Sequence, residues 1–372
     1  QTWAMALNDG RLPGLSPGSD ASRPPVSPCV PRCGSTRFVK QRNRTEYDAH
    51  KGLEEKEHAR SSARSFPTAS LSSHEKRKHA AVHAGLNYIL STGLAMLRND
   101  ALLQRHGSDI LLPFHVPLQR QTEVEAHALG VARQLARLWK ERVCSKELPR
   151  RAPPKDLLKL MQGLYALNEL GIGDPVLCRV LAEQCADKTA TDFFKFDPLC
   201  EMPGAQLREE CACGACVADG AATCASCRRP AVQMSPFDVW LEALVYAFHG
   251  CRMNIGMGAC YFDILKQLAN SFAEAAANTK SLPSKDRHYL AYALTHVVYT
   301  LSNFNERALP ADLFAPPLRQ CLVERLRVAL KKRDPDLAGE CLDCLKCIGE
   351  RGDLVDGAEK FLVDSQQADG GW

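Results

Sequence analysis

A short stretch of the sequence, CACGACVADGAATCASC, holds five cysteines whose spacing suits metal binding. Two CxxC pairs, Cys213/Cys216 and Cys224/Cys227, are separated by seven residues, and Cys211 supplies a fifth thiol. Tetrahedral zinc takes four thiolates at about 2.3 Å, and each CxxC turn presents two of them to one side of the ion. The pattern therefore predicts a zinc site made by four of the five thiols, with a redox-active or disulfide-bonded cluster and idle thiols as the alternatives.

A zinc ion with four sulfur ligands has no open position for water, so this site is predicted to be structural. The surrounding segment, residues 200–232, is too short and polar to build its own core. Metal binding can supply the folding free energy of such a segment. We therefore expect a zinc-binding loop insert between two larger regions.

Two further cysteine groups do not predict metal sites. Cys341, Cys344 and Cys347 are spaced as CxxCxxC, but a regular helix fans these thiols around its surface, and the apolar pattern places them in a helical core. Cys29 and Cys33 form an isolated CxxxC without two further ligands nearby. We expect the first group to pack in the core and the second to bind no metal.

A candidate pocket lies in the stretch DRHYLAYALTHVVYTLSNFNE. Tyr292, His296 and Tyr299 fall on one helical face, and the stretch carries no charged residue between Arg287 and Glu306. A polar and aromatic stripe of this kind can line a ligand cavity, and its histidine can titrate near neutral pH. The alternative is that these groups are buried at helix contacts and satisfied by hydrogen bonds.

Two weaker sets of candidate functional residues are present. The first consists of isolated acids and histidines, and the second is a cluster near a helix start, where the helix dipole also favours glutamate. The isolated candidates are His249, Asp263 and Asp343, and the cluster is Glu123, Glu125 and His127.

The elements that must position these residues are helices. From residue 79 onward apolar residues recur three and four apart, and there is no convincing strand alternation. Asp174 and Asp334 are predicted N-caps followed by proline, and Gly171 and Gly349 are predicted helix stops. The same helix, glycine break, Asp cap and helix order occurs twice, which favours stacked helical pairs in an all-α fold.

Four regions follow from composition. Residues 1–75 form a basic, Pro/Ser/Arg-rich leader that is expected to be disordered, because it cannot bury enough apolar surface to offset its ordering entropy. Residues 76–199 form an N-terminal helical region, 200–232 the cysteine-rich insert, and 233–372 a C-terminal helical region. We expect this last region to continue beyond residue 372.

The chain's last residues carry a family resemblance. Gln366, Gly370 and Trp372 follow an amphipathic helix in the spacing QxxxGxW, which resembles the QW repeat of terpenoid cyclases and the related turns of protein prenyltransferases. Those families are α/α toroids, so the resemblance implies an incomplete α/α toroid or a helical-repeat array. It also implies that the Gln bonds to the backbone of a neighbouring repeat and that the Trp packs over it.

The catalytic motifs of those families are not found in residues 1–372, and any such motif would lie in the expected continuation beyond residue 372. Class II cyclases have a DxDD motif, class I cyclases a DDxxD motif, and prenyltransferases a DxC with a distant histidine for zinc, and none of these occurs in residues 1–372. The sequence therefore favours a helical binding scaffold for a protein or an apolar small molecule. The alternatives are a toroid enzyme acting on an apolar substrate in a central cavity, and a metal- or redox-responsive regulatory protein.

Charge and cysteine usage limit the class of protein. The net charge of +4 lies in the leader, because residues 1–79 hold 14 Lys/Arg and 8 Asp/Glu, and the remainder holds 33 and 35. A nearly neutral body argues against a nucleic-acid surface.

No run reaches the roughly 18 apolar residues of a membrane span. Ten of the 17 cysteines lie outside the leader and the five-cysteine loop, mostly within helical patterns, which favours an intracellular location.

Overall fold

The computed structural model describes residues 72–114, 123–144, 151–200, 203, 221–231, 233–305, 307–314 and 316–372. The predicted leader therefore lies outside the described residues, except for its last four positions. Most described residues are helical, and the described part contains no β-strand, although Thr223 and Pro230 form an isolated bridge. The all-α prediction is confirmed.

Twelve α-helices form the described fold. They are α1 (Ser73–Arg98), α2 (Asp100–His106), α3 (Glu123–Cys144), α4 (Pro154–Glu169), α5 (Pro175–Cys185), α6 (Ala190–Phe194), α7 (Pro236–Met253), α8 (Tyr261–Ala277), α9 (Ser284–Ser302), α10 (Pro316–Lys332), α11 (Pro335–Cys347) and α12 (Asp353–Ser365). Short 3-10 turns occupy Asp109–Phe114, Thr279–Ser281 and Ala311–Leu313.

Local sequence signals set several helix ends. The Asp174 and Asp334 carboxylates accept hydrogen bonds from the amides of the third helical residue at 3.0 and 3.1 Å, so both predicted N-caps are confirmed. Gly171 and Gly349 follow α4 and α11 with φ of 70° and 84°. Glycine adopts these angles without a steric penalty, so both predicted stops are confirmed as well.

Helix α1 begins slightly before the predicted start of the folded region at residue 76. Ser72 accepts a hydrogen bond from the Glu75 amide, and the Glu75 carboxylate accepts one from the Ser72 amide. This reciprocal pair satisfies two amide groups that a helix start leaves unbonded. Among the described helices, α1 is the one that is long and apolar enough to cross a membrane. Core helices of soluble proteins meet the same criterion, so this is weak evidence for a membrane span.

The helices contact one another in a consistent order. Helices α4, α7, α9 and α11 touch in succession, and each is also in contact with the next long helix in the chain, namely α5, α8, α10 and α12 respectively. The second set also touches in part, through α8–α10 and α10–α12. At the ends of this arrangement, α3 packs against both α1 and α4, and α12 packs against α1.

One continuous hydrophobic core joins these helices. It runs from Leu97 in α1 to Ala358 in α12 and includes the fully buried Trp240. Cys341 and Cys344 are completely buried within it, beside Leu345. The predicted core role of the CxxCxxC cysteines is confirmed for these two, and Cys347 packs at the edge of the same core.

Candidate functional site

The predicted pocket residues lie where α9 packs against α11. Tyr292, His296 and Tyr299 are all partly buried on α9. Across from them, α11 presents Asp336 and Glu340. Aromatic and titratable side chains of α9 therefore meet carboxylates of α11, and we name this contact zone the α9–α11 seam.

Each acid of the seam is hydrogen-bonded across it. The Tyr292 hydroxyl donates to Asp336 at 2.5 Å, and the Thr295 hydroxyl lies 2.6 Å from Glu340 Oε2. Asn305, just after α9, donates through its amide nitrogen to Asp343. The seam is thus a row of three acids tied to the neighbouring helix and its following turn.

The acidity of Glu340 is changed by its surroundings in the seam. Burial raises its pKa from the ordinary value of 4.5 to about 7, and the nearby Asp336 and Asp343 carboxylates add to the rise, while the hydrogen bond with Thr295 opposes it. The side chain retains 24% of its accessible surface. Near neutral pH a substantial fraction of Glu340 therefore carries a proton.

The hydrogen bonds of Thr295 fit a protonated Glu340. Its hydroxyl lies 2.8 Å from the Tyr292 carbonyl as well as 2.6 Å from Glu340. A hydroxyl has one proton to donate and a carbonyl can only accept. If Glu340 is protonated, it donates to Thr295 and Thr295 donates to the carbonyl, so both contacts are hydrogen bonds.

His296 is held as a neutral ring. Its Nδ1 lies 2.8 Å from the Tyr292 carbonyl, and because that oxygen only accepts, the hydrogen bond assigns the proton to Nδ1. Burial lowers the pKa of His296. In this tautomer Nε2 carries a lone pair, while Nδ1 lies 3.8 Å from Glu340.

The sequence pointed to one side of the seam and largely missed the other. Asp343 was a weak candidate, but Asp336, Glu340 and Thr295 were not singled out. A usable signal was present, because Asp336, Glu340 and Asp343 are four and three residues apart and so share one face of α11.

The remaining weak candidates lie apart from the seam. His249 is fully buried in α7, and its ring stacks on Tyr165 with centroids 4.4 Å apart. Asp263 is exposed in the first turn of α8. His127 contacts Asn87 through Nε2 at 3.2 Å, while the side chains of Glu123 and Glu125 lie outside the described part of the structure.

The structure describes only part of the predicted zinc loop. Cys211, Cys213 and Cys216 lie outside the described residues, while Cys224 is buried beside the partly buried Cys227 in a small separate cluster. The Cys224 carbonyl accepts from the Arg228 amide, and the Cys224 amide donates to the Arg229 carbonyl, both at 2.8 Å. This tight turn brings the second CxxC pair together.

Within the described residues no set of three or more potential metal ligands converges. Because three of the five loop cysteines are outside that part of the chain, this finding does not bear on the zinc prediction.

The C-terminal QxxxGxW turn packs on α1. Gln366 Nε2 donates to the Ala81 carbonyl at 2.7 Å and to the Gly370 carbonyl at 2.9 Å. The Trp372 indole donates to the Leu362 carbonyl at 2.8 Å. A Cβ at Gly85 would lie 2.8 Å from the Trp372 ring, so only glycine allows this close approach.

Comparison with known proteins places a family match over the same part of the chain. Residues 274–372 match a family described as a domain of unknown function, DUF6895. This segment contains α9 to α12, and therefore both sides of the seam and the C-terminal turn. No curated protein and no solved structure shows a significant match. The chain's last 99 residues are thus similar to the DUF6895 domain.

Proposed function

We propose that this chain is a binding scaffold of stacked helical pairs, arranged as an α/α ring, whose α9–α11 seam forms part of a surface for a protein partner. The pairing of α4 with α5, α7 with α8, α9 with α10, and α11 with α12 supports the stacked arrangement. A helical pair of this kind buries its apolar face against the next pair.

The contacts of α1 support closure of the ring. Helix α1 touches α12 and α3, and α3 touches α4, so the succession of contacts returns to its starting point. The Gln366 and Trp372 contacts strengthen the α1–α12 junction. The same geometry is what the resemblance to the toroid families implies for a Gln at the end of an outer helix.

The observation that carries the scaffold proposal is the bonding of the seam. Asp336, Glu340 and Asp343 each have a hydrogen-bond partner on or beside α9. Side chains tied to each other are less available for a substrate than groups aimed into an open cavity. A partly buried aromatic and acidic surface with fixed side chains suits protein binding, in which rigid Tyr residues give contact area at little entropic cost.

Site-specific photocrosslinking in native cells tests the scaffold proposal. Benzoylphenylalanine at Tyr292 is expected to capture a defined protein, whereas the same residue at Phe262, an exposed aromatic on α8, should not. The captured protein, once purified, should bind the wild-type chain, and Tyr292→Ala should weaken binding about tenfold while Phe262→Ala changes it less than about twofold. Equal capture at both positions would count against the seam as the binding surface.

An enzyme is the second candidate, and the proximity of Glu340 to His296, 3.8 Å from Nδ1, favours it. A carboxyl with a pKa of about 7 beside a neutral imidazole has the acidity that general acid–base catalysis requires. If purified protein converts an apolar substrate, His296→Gln should lower kcat by about a hundredfold or more. Unchanged turnover in His296→Gln would remove this candidate.

For the cysteine loop we propose a structural zinc ion held by four of Cys211, Cys213, Cys216, Cys224 and Cys227, and the tight turn at Cys224 supports this. Zinc would cross-link an insert that has no large core, and it would also allow a metal-responsive role. Elemental mass spectrometry of dialysed protein should give one zinc per chain. Cys224→Ser should lower this content, whereas Cys178→Ser, on α5, should keep it. A wild-type content well below one would contradict the proposal.

A further inference from the structure

A concave site adjoins the seam, between the start of α9 and the end of α10, and its lining residue His288 contacts Tyr292 with ring centroids 5.0 Å apart. It is a cavity of about 810 Å³, bordered by the turn before α9, by the second half of α10 and by the start of α11. A cavity of this size accommodates a small molecule. It lies entirely within the segment that matches the family model.

The lining of this cavity is strongly basic. Five cationic side chains surround it, namely Lys280, Lys285, Arg287, Arg325 and Lys332, against two acids, Glu324 and Asp334. Both acids already accept hydrogen bonds from other groups of the protein. Glu324 accepts from Gln320 at 3.3 Å, and Asp334 caps α11. Within the described part of the chain none of the five cations forms an ion pair, so their positive charge is not neutralised by the protein.

Arg325 is the most informative of the five cations. Its Nε is buried and, among the described residues, has no hydrogen-bond partner. A buried donor without an acceptor is costly. The rest of the side chain is only partly buried and lines the cavity, so an anion there would attract the guanidinium, which donates to phosphate or carboxylate oxygens in a forked geometry.

The cavity also has an apolar wall. Val328, Ala329 and Leu337 line it beside the cations. A ligand that uses the whole site must therefore combine an anionic group with an apolar part. Cations set around a confined space also suit a group with several negative charges, such as a phosphate, better than a singly charged carboxylate.

We propose that this cavity binds a small phosphorylated molecule with an apolar portion, with Arg325, Lys285 and Lys332 contacting the phosphate. The site adjoins the seam, but the proposed ligand binding does not depend on the proposed scaffold function. A single-stranded nucleic acid would instead need a groove that tracks a backbone, with aromatic rings for base stacking.

Isothermal titration at fixed ionic strength tests the proposal with phenyl phosphate, pyrophosphate and inorganic phosphate as probes. The double variant Lys285→Gln/Lys332→Gln removes two exposed cations of the cavity. The control Arg327→Gln/Lys331→Gln removes the same charge from positions of α10 that do not line it. All four positions are exposed, so both variants are expected to fold, and their melting temperatures test this.

The expected result is saturable binding, with phenyl phosphate bound more tightly than inorganic phosphate. The cavity variant should lose about tenfold or more in affinity, as expected for charge-assisted hydrogen bonds, and the control less than about twofold. Equal losses in both variants would mean general charge attraction and would overturn the proposal. The absence of saturable binding by phenyl phosphate would also overturn it.

Discussion

At the scale of single residues, the pKa of Glu340 links the seam to pH. An acid whose folded pKa exceeds its unfolded value binds an extra proton in the folded state between the two values, so folding becomes less favourable as pH rises through that window. For Glu340 the window runs from 4.5 to about 7. Glu340 therefore stabilises the fold more at pH 5 than at pH 8.

Glu340→Gln should remove this dependence. The glutamine amide can donate to the Thr295 hydroxyl as the protonated acid does, without a buried negative charge at high pH. We expect the variant to gain about 1 kcal/mol in unfolding free energy at pH 8, a value reduced for partial exposure, and to change little at pH 5. Urea titrations at both pH values measure this. A gain of the same size in the exposed Glu183→Gln on α5, or a larger gain at pH 5, would contradict it.

Glu359 shows the opposite sign at the same scale. Its hydrogen bond with Lys346 is the main cause of a lowered pKa, and Lys78 contributes. Stability from this group is present above its unfolded pKa of 4.5 and is lost as pH falls. The two glutamates thus favour the folded state at opposite ends of the pH range.

At the scale of elements, close helix packing depends on glycine at particular positions. Helix α4 approaches α3 at Gly163, where a Cβ would lie 2.1 Å from the ring of the buried Trp139. Gly130 of α3 has no such neighbour, since nothing lies within 4 Å of its Cβ position. Gly163 is therefore needed for close packing between α3 and α4, whereas Gly130 affects only the backbone of α3.

Gly163→Ala and Gly130→Ala should therefore have opposite effects. The first forces Trp139 to move and should destabilise the fold by about 1–3 kcal/mol. The second adds only helix propensity and should stabilise it by up to about 1 kcal/mol. Thermal and chemical unfolding of both variants check this. Equal stabilisation by the two substitutions would show that α3 and α4 are not packed as described.

The elements also show what sequence reasoning can and cannot reach. Helix caps at Asp174 and Asp334 were predictable, because a cap involves residues three apart. The seam was only half predictable, since Thr295 and Glu340 are 45 positions apart and their pairing depends on how α9 and α11 pack. The basic cavity was not predictable for the same reason, because its cations come from the turn before α9, from α9 and from α10.

At the scale of the whole molecule, the contact between α1 and α12 joins regions far apart in sequence. Lys78 pairs with Glu359 at 3.0 Å, and Arg77 pairs with Asp364 at 2.5 Å. Surface pairs of this kind contribute little on their own. The Gln366 hydrogen bond to the Ala81 carbonyl is better shielded and is the stronger link.

Gln366→Leu should loosen this junction. The change leaves two carbonyls without their donor and should cost about 1–3 kcal/mol, whereas Gln367→Leu, at the exposed neighbouring position, should cost less than about 0.5 kcal/mol. Hydrogen exchange should speed up in α1 and α12 for the first variant, with α4 and α7 protected as before. Uniform acceleration across all helices would instead indicate global destabilisation without a local link.

The packing of Trp372 over Gly85 has a topological consequence. Spatial neighbours need not be sequence neighbours, so the polypeptide could be rewired with α1 following α12 through a short linker and new termini cut into a surface turn elsewhere. The thirteen helical residues from Ser73 to Gly85 span roughly 20 Å, a gap that about ten flexible residues bridge. A permuted chain of this kind would keep every contact between helices while changing the order in which the helices are synthesised.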